Sequence, residues 1–383
     1  MKSYTQHLNS VRIIPVQDRR TIRQFIRFPW AIYQNDPVWV PPLFLERRAH
    51  LSHWNPYFTH AHVQLWLAVR GRQPVGRISA QIDTLHLEQF HDRTGFWGML
   101  EAEDHPETFR ALLHTAETWL QQQGMNRLRG PFNFSINEEC GLLVEGFHSP
   151  PMIMMGHAPS YYATQVEALG HHGRMDTLAY QIDAGFETPP FMQRVMDRMG
   201  TGVRIRPLRR FDFERDVALL RDIFNDAWSD NWGFLPFTEA EFNQIAQALK
   251  WFVDDAFVQI AEVNGTPAAM IVAFPNINEA IRDCNGRLFP FGWLKLLWRL
   301  KITHPKTARI PLMGVRKQFQ RTPLGIALAY LLINALRVPG AKHGVETVEL
   351  SWILETNTAM RNILQSLGAI PYKRYRIYEK ELA

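Results

Sequence analysis

Four stretches of the chain carry residue types whose spacing could do chemistry. In "GPFNFSINEECGLLVEGF" (130–147), alternation places Asn133, Ser135 and Asn137 on one strand face, with Phe132, Phe134 and Ile136 on the other. Buried polar side chains need partners. The stretch is therefore either a strand leaving its sheet for a solvated turn, or a polar wall on which Glu138 or Glu139 takes a proton from an amine or hydroxyl. In "FNDAWSDNWGFLPFTEAEF" (224–242), Trp228, Asn231 and Trp232 offer flat apolar walls plus amide hydrogen bonds, suited to a ligand with an apolar body and a polar head. They could equally fill a helix–helix corner. "VELSWILETN" sets Glu349 and Ser351 on one strand face and Glu355 and Asn357 just past its end. The last stretch, "PLMGVRKQFQRTPLGIALAYLL", is a strand, a basic turn with Arg316, Lys317, Gln320 and Arg321, and an apolar helix opening at Thr322-Pro323-x-Gly325. A helix N-terminus after such a turn attracts anions; a basic turn before a core helix is the plainer alternative.

Other chemistries lack residues. His50, His53, His60 and His62 show no His-x-x-x-His spacing with a partner Glu, and Cys140 and Cys284 are the only cysteines, so no metal site is expected. The two cysteines also exclude a disulfide framework and fit a reducing compartment. There is no Gly-x-Ser-x-Gly, phosphate-loop or dinucleotide fingerprint. The net charge is +5, but no nucleic-acid motif accompanies it, and no such partner is expected.

The elements that position these residues occur twice. "VRIIPV" (11–16) returns as "VRIRPL" (203–208), "WLAVRGRQPVGRISA" (66–80) as "QIAEVNGTPAAMIVA" (259–273), and "EALGHHGRMDTLAYQI" (167–182) as "QSLGAIPYKRYRIYEK" (365–380). Three matches in one order at nearly one offset predict tandem copies of a domain, 1–183 and 201–383, with 184–200 as linker. Each copy reads as a short strand, amphipathic helices (18–34; 212–228 and 238–252), a hairpin, a strand and a long helix (106–124; 324–340). Gly124 and Gly340 stand where helix-ending glycines belong. A strand, a short helix ending in Leu-Gly and a closing strand follow, giving a mixed α/β (α+β) sheet.

That order resembles the GNAT superfamily of acyl-CoA-dependent N-acyltransferases over nearly the whole chain, as a tandem pair. The family's strand, Gln/Arg-x-x-Gly-x-Gly/Ala turn and helix correspond here to Gln320-x-x-Pro323-x-Gly325, with Pro in place of the first Gly. The resemblance implies acyl-CoA as co-substrate, without metal. Met313, Gly314, Val315, Gln320, Arg321, Thr322, Pro323, Gly325 and Asn357 would hold it, with a strand amide at Met313–Val315 facing the oxyanion, and Arg316 and Lys317 adding phosphate contacts. It also implies that the region of Trp228, Asn231 and Trp232 receives the acceptor. The family's acid-donating Tyr is Leu364 here. Glu355 is then the expected acid or base beside the thioester, and Tyr375 or Tyr372 the substitute proton donor; plain surface solvation is the alternative for all three. The first copy has Glu101, Glu103, Asp104 and Glu107 where the turn should be, so its CoA site is expected to be lost.

One segment exceeds the family's layout. Residues 274–308 replace a brief turn and contain "LFPFGWLKLLWRLK" (288–301). Residues 276–310 hold seven basic and two acidic side chains, an excess equal to the whole chain's +5. A helix over 292–303 would be about 18 Å long, too short to span a bilayer. With Trp and Phe beside Lys295, Arg299 and Lys301, it has the make-up of a helix lying in the headgroup region; packing on protein is the alternative. The N-terminus has no apolar signal core, and no run approaches the ~18 apolar residues of a membrane span. The expected location is cytoplasmic, peripheral on the inner membrane.

With these features the sequence is similar to the tandem GNAT-like bacterial ceramide synthases, which implies fatty acyl transfer from acyl-CoA to the amine of a lipid such as a sphingoid long-chain base. Two other enzymes fit the same fold: a soluble acetyltransferase of a small amine, and a tRNA-dependent aminoacyl transferase of the tandem-GNAT type.

Overall fold

The computed structural model describes residues 10–187, 189–197 and 202–382. The chain forms two compact units. The first takes the chain to Thr177 with 285–287 and 373 onward; the second takes 178–284 and 288–372. Strands β1 (Val11–Pro15), β2 (Ala61–Arg70), β3 (Gln73–Asp83), β4 (Thr94–Ala102), β5 (Arg127–Gly130) and β6 (Leu142–Glu145) lie in the first unit. Strands β8 (Val203–Pro207), β9 (Val258–Val263), β10 (Thr266–Pro275), β11 (Thr307–Val315) and β12 (Thr347–Leu354) lie in the second. β7 (His172–Asp183) carries the chain from one unit into the other, and β13 (Ile370–Glu381) carries it back.

The repeat is visible as topology. The first unit orders its strands β1-β2-β3-β4-β5, and the second β8-β9-β10-β11-β12 in the same sense. Neighbours are antiparallel except the last pair of each, β4–β5 and β11–β12, which are parallel. A parallel pair needs a crossover. The helices Pro106–Gln122 and Pro323–Ala335 supply it, burying Leu112, Leu120, Leu328 and Leu332 on their sheets. The β9–β10 hairpin turns at Asn264-Gly265, both left-handed (φ 51° and 80°), as a tight two-residue turn requires.

Several boundaries differ from the sequence reading. The closing strand does not stay with the second copy: Tyr378↔Gly130 through Glu381↔Arg127 pair it antiparallel with β5 of the first unit, and Arg129 grips Glu379 at 2.6 and 2.9 Å. Part of the expected linker, Pro190–Asp197, is helical. The strand whose alternation was expected to run on to Asn137 stops at Gly130, because Pro131 has no N–H for a ladder and Phe134 takes a left-handed φ of 88°. Residues 131–141 form a turn closed by the Phe132↔Cys140 bridge. The helix expected over 18–34 breaks at Pro29. Gly340 lies inside the helix Arg337–Lys342, and Gly344 (φ 67°) ends it. The stretch Pro323–Lys342 is long and apolar enough by composition to cross a membrane, a feature the sequence reading missed. More than half of it is buried (56%), as in a core helix.

Candidate functional site

The second unit contains a parted strand pair. β11 and β12 pair in parallel only from Thr307↔Thr347 to Ile310↔Leu350, although they run on to Val315 and Leu354. Past that point Pro311, Leu312 and Met313 on one strand, and Trp352, Ile353 and Leu354 on the other, are half-buried despite their interior position. The Arg316 N–H donates to Ala268 O (2.8 Å). The two-residue alternation of an antiparallel ladder then assigns Gly314 to β10 and turns the main-chain groups of Met313 and Val315 away from it, toward the parting. Two side chains hold that edge. The Trp228 indole N–H donates to Met313 O (3.1 Å), and the Gln320 amide donates to Val315 O (2.8 Å) and Ala227 O (2.9 Å).

The turn after β11 leads into the helix Pro323–Ala335. Thr322 caps it, accepting from Gly325 N–H (3.1 Å) and donating to Phe319 O (2.6 Å). Pro323 occupies the first helical position, where its missing N–H costs nothing. Gly325 is required: a Cβ there would lie 2.2 Å from Phe319 O. Arg321, exposed with φ 58°, faces solvent at the helix entrance. Arg316 and Lys317 do not present free charge as expected. Arg316 pairs with Asp222, Lys317 Nζ with Asp230 (2.5 Å), and Lys317 N–H donates to Asp226 (2.9 Å). The three aspartates recur at four-residue spacing, so the first two form one stripe of the helix Phe213–Trp228 that the third continues past its end. The fit to CoA thus rests on the parted strands, the helix terminus and Arg321.

The remaining second-unit residues have structural partners. Asn357 caps the helix Thr358–Ser366, its side chain accepting from Met360 N–H (3.1 Å). Glu355 is half-buried, and its carbonyl accepts from Arg361 (2.8 Å). Asn231 and Trp232 are half-buried in the turn after Trp228, whose carbonyl accepts from Asn231 N–H (2.8 Å). Glu349, Ser351 and Arg309 form a buried network: Arg309 donates to Ser351 (2.8 Å), Ser351 to Glu349 (2.6 Å), and Tyr372 also donates to Glu349. Tyr375 is 0% exposed in the first unit, opposite Leu143, whereas Glu355 belongs to the second.

In the first unit the corresponding strand gap is closed. The Phe132 N–H donates to Trp97 O (2.8 Å), and the Asn133 side-chain oxygen accepts from Met99 N–H (2.7 Å). A Cβ on Gly98 would fall 1.8 Å from Phe132 O. Asn133 is therefore a pin across the gap, not one face of a strand, and its amide also donates to Glu139 (2.9 Å). Ser135 accepts from Asn137 N–H (3.2 Å) inside the turn.

That turn nonetheless brings charged groups together. Glu139 lies 3.3 Å from Arg47, and Glu138 lies 2.5 Å from His50. Burial pushes the Glu139 carboxyl up, but Arg47, the Asn133 amide, His50 and Arg77 together hold it below the usual carboxylate range. Beside it stands Glu101, which the sequence reading treated only as a repellent charge. Burial pushes Glu101 up to about 7, against the pull of Arg77 and the hydroxyls of Tyr162 and Tyr33. A signal existed: Glu101 is the single charged residue in the strand "TGFWGMLEA".

Residues 277–303 form the short helices Ile277–Ile281 and Gly292–Trp298 and a wide turn, Arg299–Thr303. Leu296 and Leu300 are buried, while Phe289, Phe291, Trp293, Leu294, Leu297, Trp298 and Ile302 are exposed, Phe291 by 73%. Lys295 and Arg299 both pair with Asp283, so they fasten the segment and do not reach outward as expected.

Two units of one topology, one with a parted parallel strand pair ahead of a capped helix, define a tandem GNAT N-acyltransferase. Solved structures bear out the fold. A tandem GNAT protein from the clavulanic acid biosynthesis pathway superposes with a TM-score of 0.58 at 14% identity, covering 98% of this chain and 99% of its own. A GCN5-related N-acetyltransferase from Anabaena variabilis gives 0.52 at 8%, covering 97% and 73%. No family profile matches the chain. Two curated proteins do: protein YghO of Escherichia coli strain K12, 49% identical over 95% of this chain and 94% of its own, and the bacterial ceramide synthase of Caulobacter vibrioides, 46% identical over 97% of each. The chain belongs to this family of GNAT acyltransferases related to bacterial ceramide synthase. It is an acyltransferase, and its fold implies acyl-CoA as co-substrate and an amine as acceptor.

Proposed function

We propose that this acyltransferase moves a fatty acyl group from acyl-CoA to the amine of a lipid, such as a sphingoid long-chain base, at the inner face of the membrane. The observation that carries the reading is the parting of β11 from β12, beside which Pro311, Leu312, Met313, Trp352, Ile353 and Leu354 are half-buried. An apolar slot beside a helix N-terminus suits a ligand with an apolar arm and an anionic end. Acyl-CoA would supply the thioester-activated acyl group. Met313 and Val315 would bind it through main-chain groups, and Arg321, Thr322 and the Gly325 turn would receive its phosphates. Trp228 and Gln320 keep the strand edge in place for that role. The lipid part of the reading is supported by the insertion, which joins β10 directly to β11 and exposes seven large apolar side chains. Lys301, exposed among them, suits an anionic headgroup layer.

Calorimetric titration with palmitoyl-CoA and acetyl-CoA tests the donor, with Gln320→Ala/Arg321→Ala as control. Tighter binding of palmitoyl-CoA, lost in the double variant, is expected. Equal binding of both would defeat the fatty-acyl reading in favour of a small-acyl enzyme.

A further inference from the structure

We infer that the first unit carries a binding site for a protonated primary amine, with Glu101 Oε1 as the atom that accepts the amine's proton. The inference rests on the amine acceptor of the proposed reaction and concerns the first unit by itself.

The charge count comes first. Glu46, Glu101, Glu138 and Glu139 face Arg47, Arg77 and His50, through Arg47–Glu46, Arg47–Glu139 (3.3 Å), His50–Glu138 (2.5 Å) and Arg77–Glu101 (3.7 Å). Glu46 is 47% exposed and solvated, so the three recessed carboxylates face three basic side chains, and Glu101 has the loosest partner of the three, Arg77 at 3.7 Å. A recessed carboxylate whose counter-charge is out of contact is costly.

The hydrogen bonds then single out one oxygen. Tyr162 donates to Glu101 Oε2 at 2.8 Å, and the Tyr33 hydroxyl lies within reach of both Oε2 (2.9 Å) and His157 O (3.0 Å), with one proton for the two. The Tyr162 oxygen is itself occupied by the Ala102 N–H (2.8 Å), so its proton has to point at the carboxylate. Oε2 is therefore engaged by a fixed donor, and Oε1 is the oxygen of Glu101 that no side-chain hydroxyl engages. Oε1 has only Arg77, at 3.7 Å and beyond hydrogen-bond range. Tyr161 donates to Ala102 O (2.7 Å) and is not available to it. Glu139, the other charge facing Glu101, is committed to Asn133 and Arg47.

Access is retained. The Glu101 and Arg77 side chains are 13% exposed, Arg47 23% and Glu139 25%, so the cluster is partly reached by solvent. A carboxyl that titrates near neutrality suits this exchange: R–NH3+ gives its proton to Oε1, leaving R–NH2 and a neutral Glu101. Binding of the ammonium itself requires Glu101 ionised. Affinity should therefore rise as pH passes upward through about 7, and binding below it should release a proton.

The test titrates the full chain with octylamine, and with octanol as the neutral control, in buffers of different ionisation enthalpy. Wild type should bind octylamine over octanol, with net proton release below pH 7 that fades as pH rises. Glu101→Gln should lose at least tenfold in amine affinity and release none. Tyr162→Phe, which removes a donor from the carboxylate, should keep amine binding at high pH with its midpoint moved upward. Equal binding of octylamine and octanol, no amine binding by wild type, or unchanged affinity and proton release in Glu101→Gln would each overturn the inference. Palmitoyl-CoA binding by the same samples separates the two readings. If it persists while amine binding fails, only the amine site is refuted; if it is absent while the amine binds, the acyl-CoA reading fails alone.

Discussion

Replacing Gly325 by Ala tests whether the turn between β11 and its helix is shaped for a ligand. A new Cβ would lie 2.2 Å from Phe319 O and 3.0 Å from its carbonyl carbon. An ordinary carbon–oxygen contact is about 3.3 Å, so one chain or the other has to move by roughly 1 Å. The helix is anchored by buried Ala327, Leu328 and Leu332; the turn is not, and the turn will move. That breaks the Thr322 cap, which links Phe319 O (2.6 Å) to Gly325 N–H (3.1 Å) and is worth about 1 kcal/mol. Residual strain adds about 1–3 kcal/mol, and the better helix propensity of Ala returns about 1 kcal/mol. The net loss of stability should be about 1–3 kcal/mol, measured by denaturant unfolding. Palmitoyl-CoA affinity should fall more than tenfold, because the donors of the turn are displaced. Gly340→Ala is the matched control: no atom lies within 4 Å of its Cβ, and it sits in a helix with ordinary φ. It should gain about 0.5–1 kcal/mol and bind palmitoyl-CoA normally. Gly325→Ala with wild-type affinity would refute the role given to the turn.

Three further outcomes follow from the same structure. Asp216 is buried between the Arg206 guanidinium (2.8 Å) and Arg209 N–H (2.9 Å), so Asp216→Ala should lose about 3–5 kcal/mol by leaving Arg206 buried with one partner fewer. Its carboxyl is held below the usual range: burial raises it, but the Arg206 and Arg209 hydrogen bonds outweigh burial. That stability is present above the unfolded value of about 4 and lost as pH falls below it, which acid unfolding of wild type against variant will show. Glu101 has the opposite sign. Its carboxyl is raised from 4.5 to about 7, so its folded form binds the proton more tightly, and the wild type loses up to about 3 kcal/mol as pH rises across that window. Glu101→Gln should flatten this slope and melt higher than wild type at pH 8; an unchanged slope would contradict the burial argument. Phe291→Ser with Trp298→Ser should weaken sedimentation with phosphatidylglycerol vesicles at least tenfold and leave the melting temperature within a few degrees, since both side chains are exposed.

What the sequence disclosed was mostly what repeats or alternates. The "VRIIPV"/"VRIRPL" pair marks β1 and β8, and the two hairpins stand where alternating residues flank Gly71 and Gly265. The strand, turn and helix around Gln320 and Gly325 were legible from the family pattern, and the parting of β11 from β12 was not. The contacts made by those residues were not, because they depend on groups far along the chain: Gln320 reaches back to Ala227, and Lys317 to Asp226 and Asp230. The stretch 130–147 was misread for a related reason. Its alternation resembles a strand, but Pro131 and the left-handed Phe134 turn it back, and Asn133 serves the backbone of β4. Glu101 was read only as one of four repellent charges, together with Glu103, Asp104 and Glu107. Only the fold shows that Tyr33 and Tyr162 enclose it. The strand that returns to the first unit was equally hidden, since partner choice in a sheet leaves no trace in local periodicity.

The most direct test of the central claim is a transfer assay on purified protein with palmitoyl-CoA and sphinganine in mixed micelles, following free thiol and identifying the product by mass spectrometry. The account predicts one amide product for each CoA released, with little turnover when acetyl-CoA replaces palmitoyl-CoA. Efficient acetyl transfer to a small soluble amine, with no amide formed on the long-chain base, would contradict it.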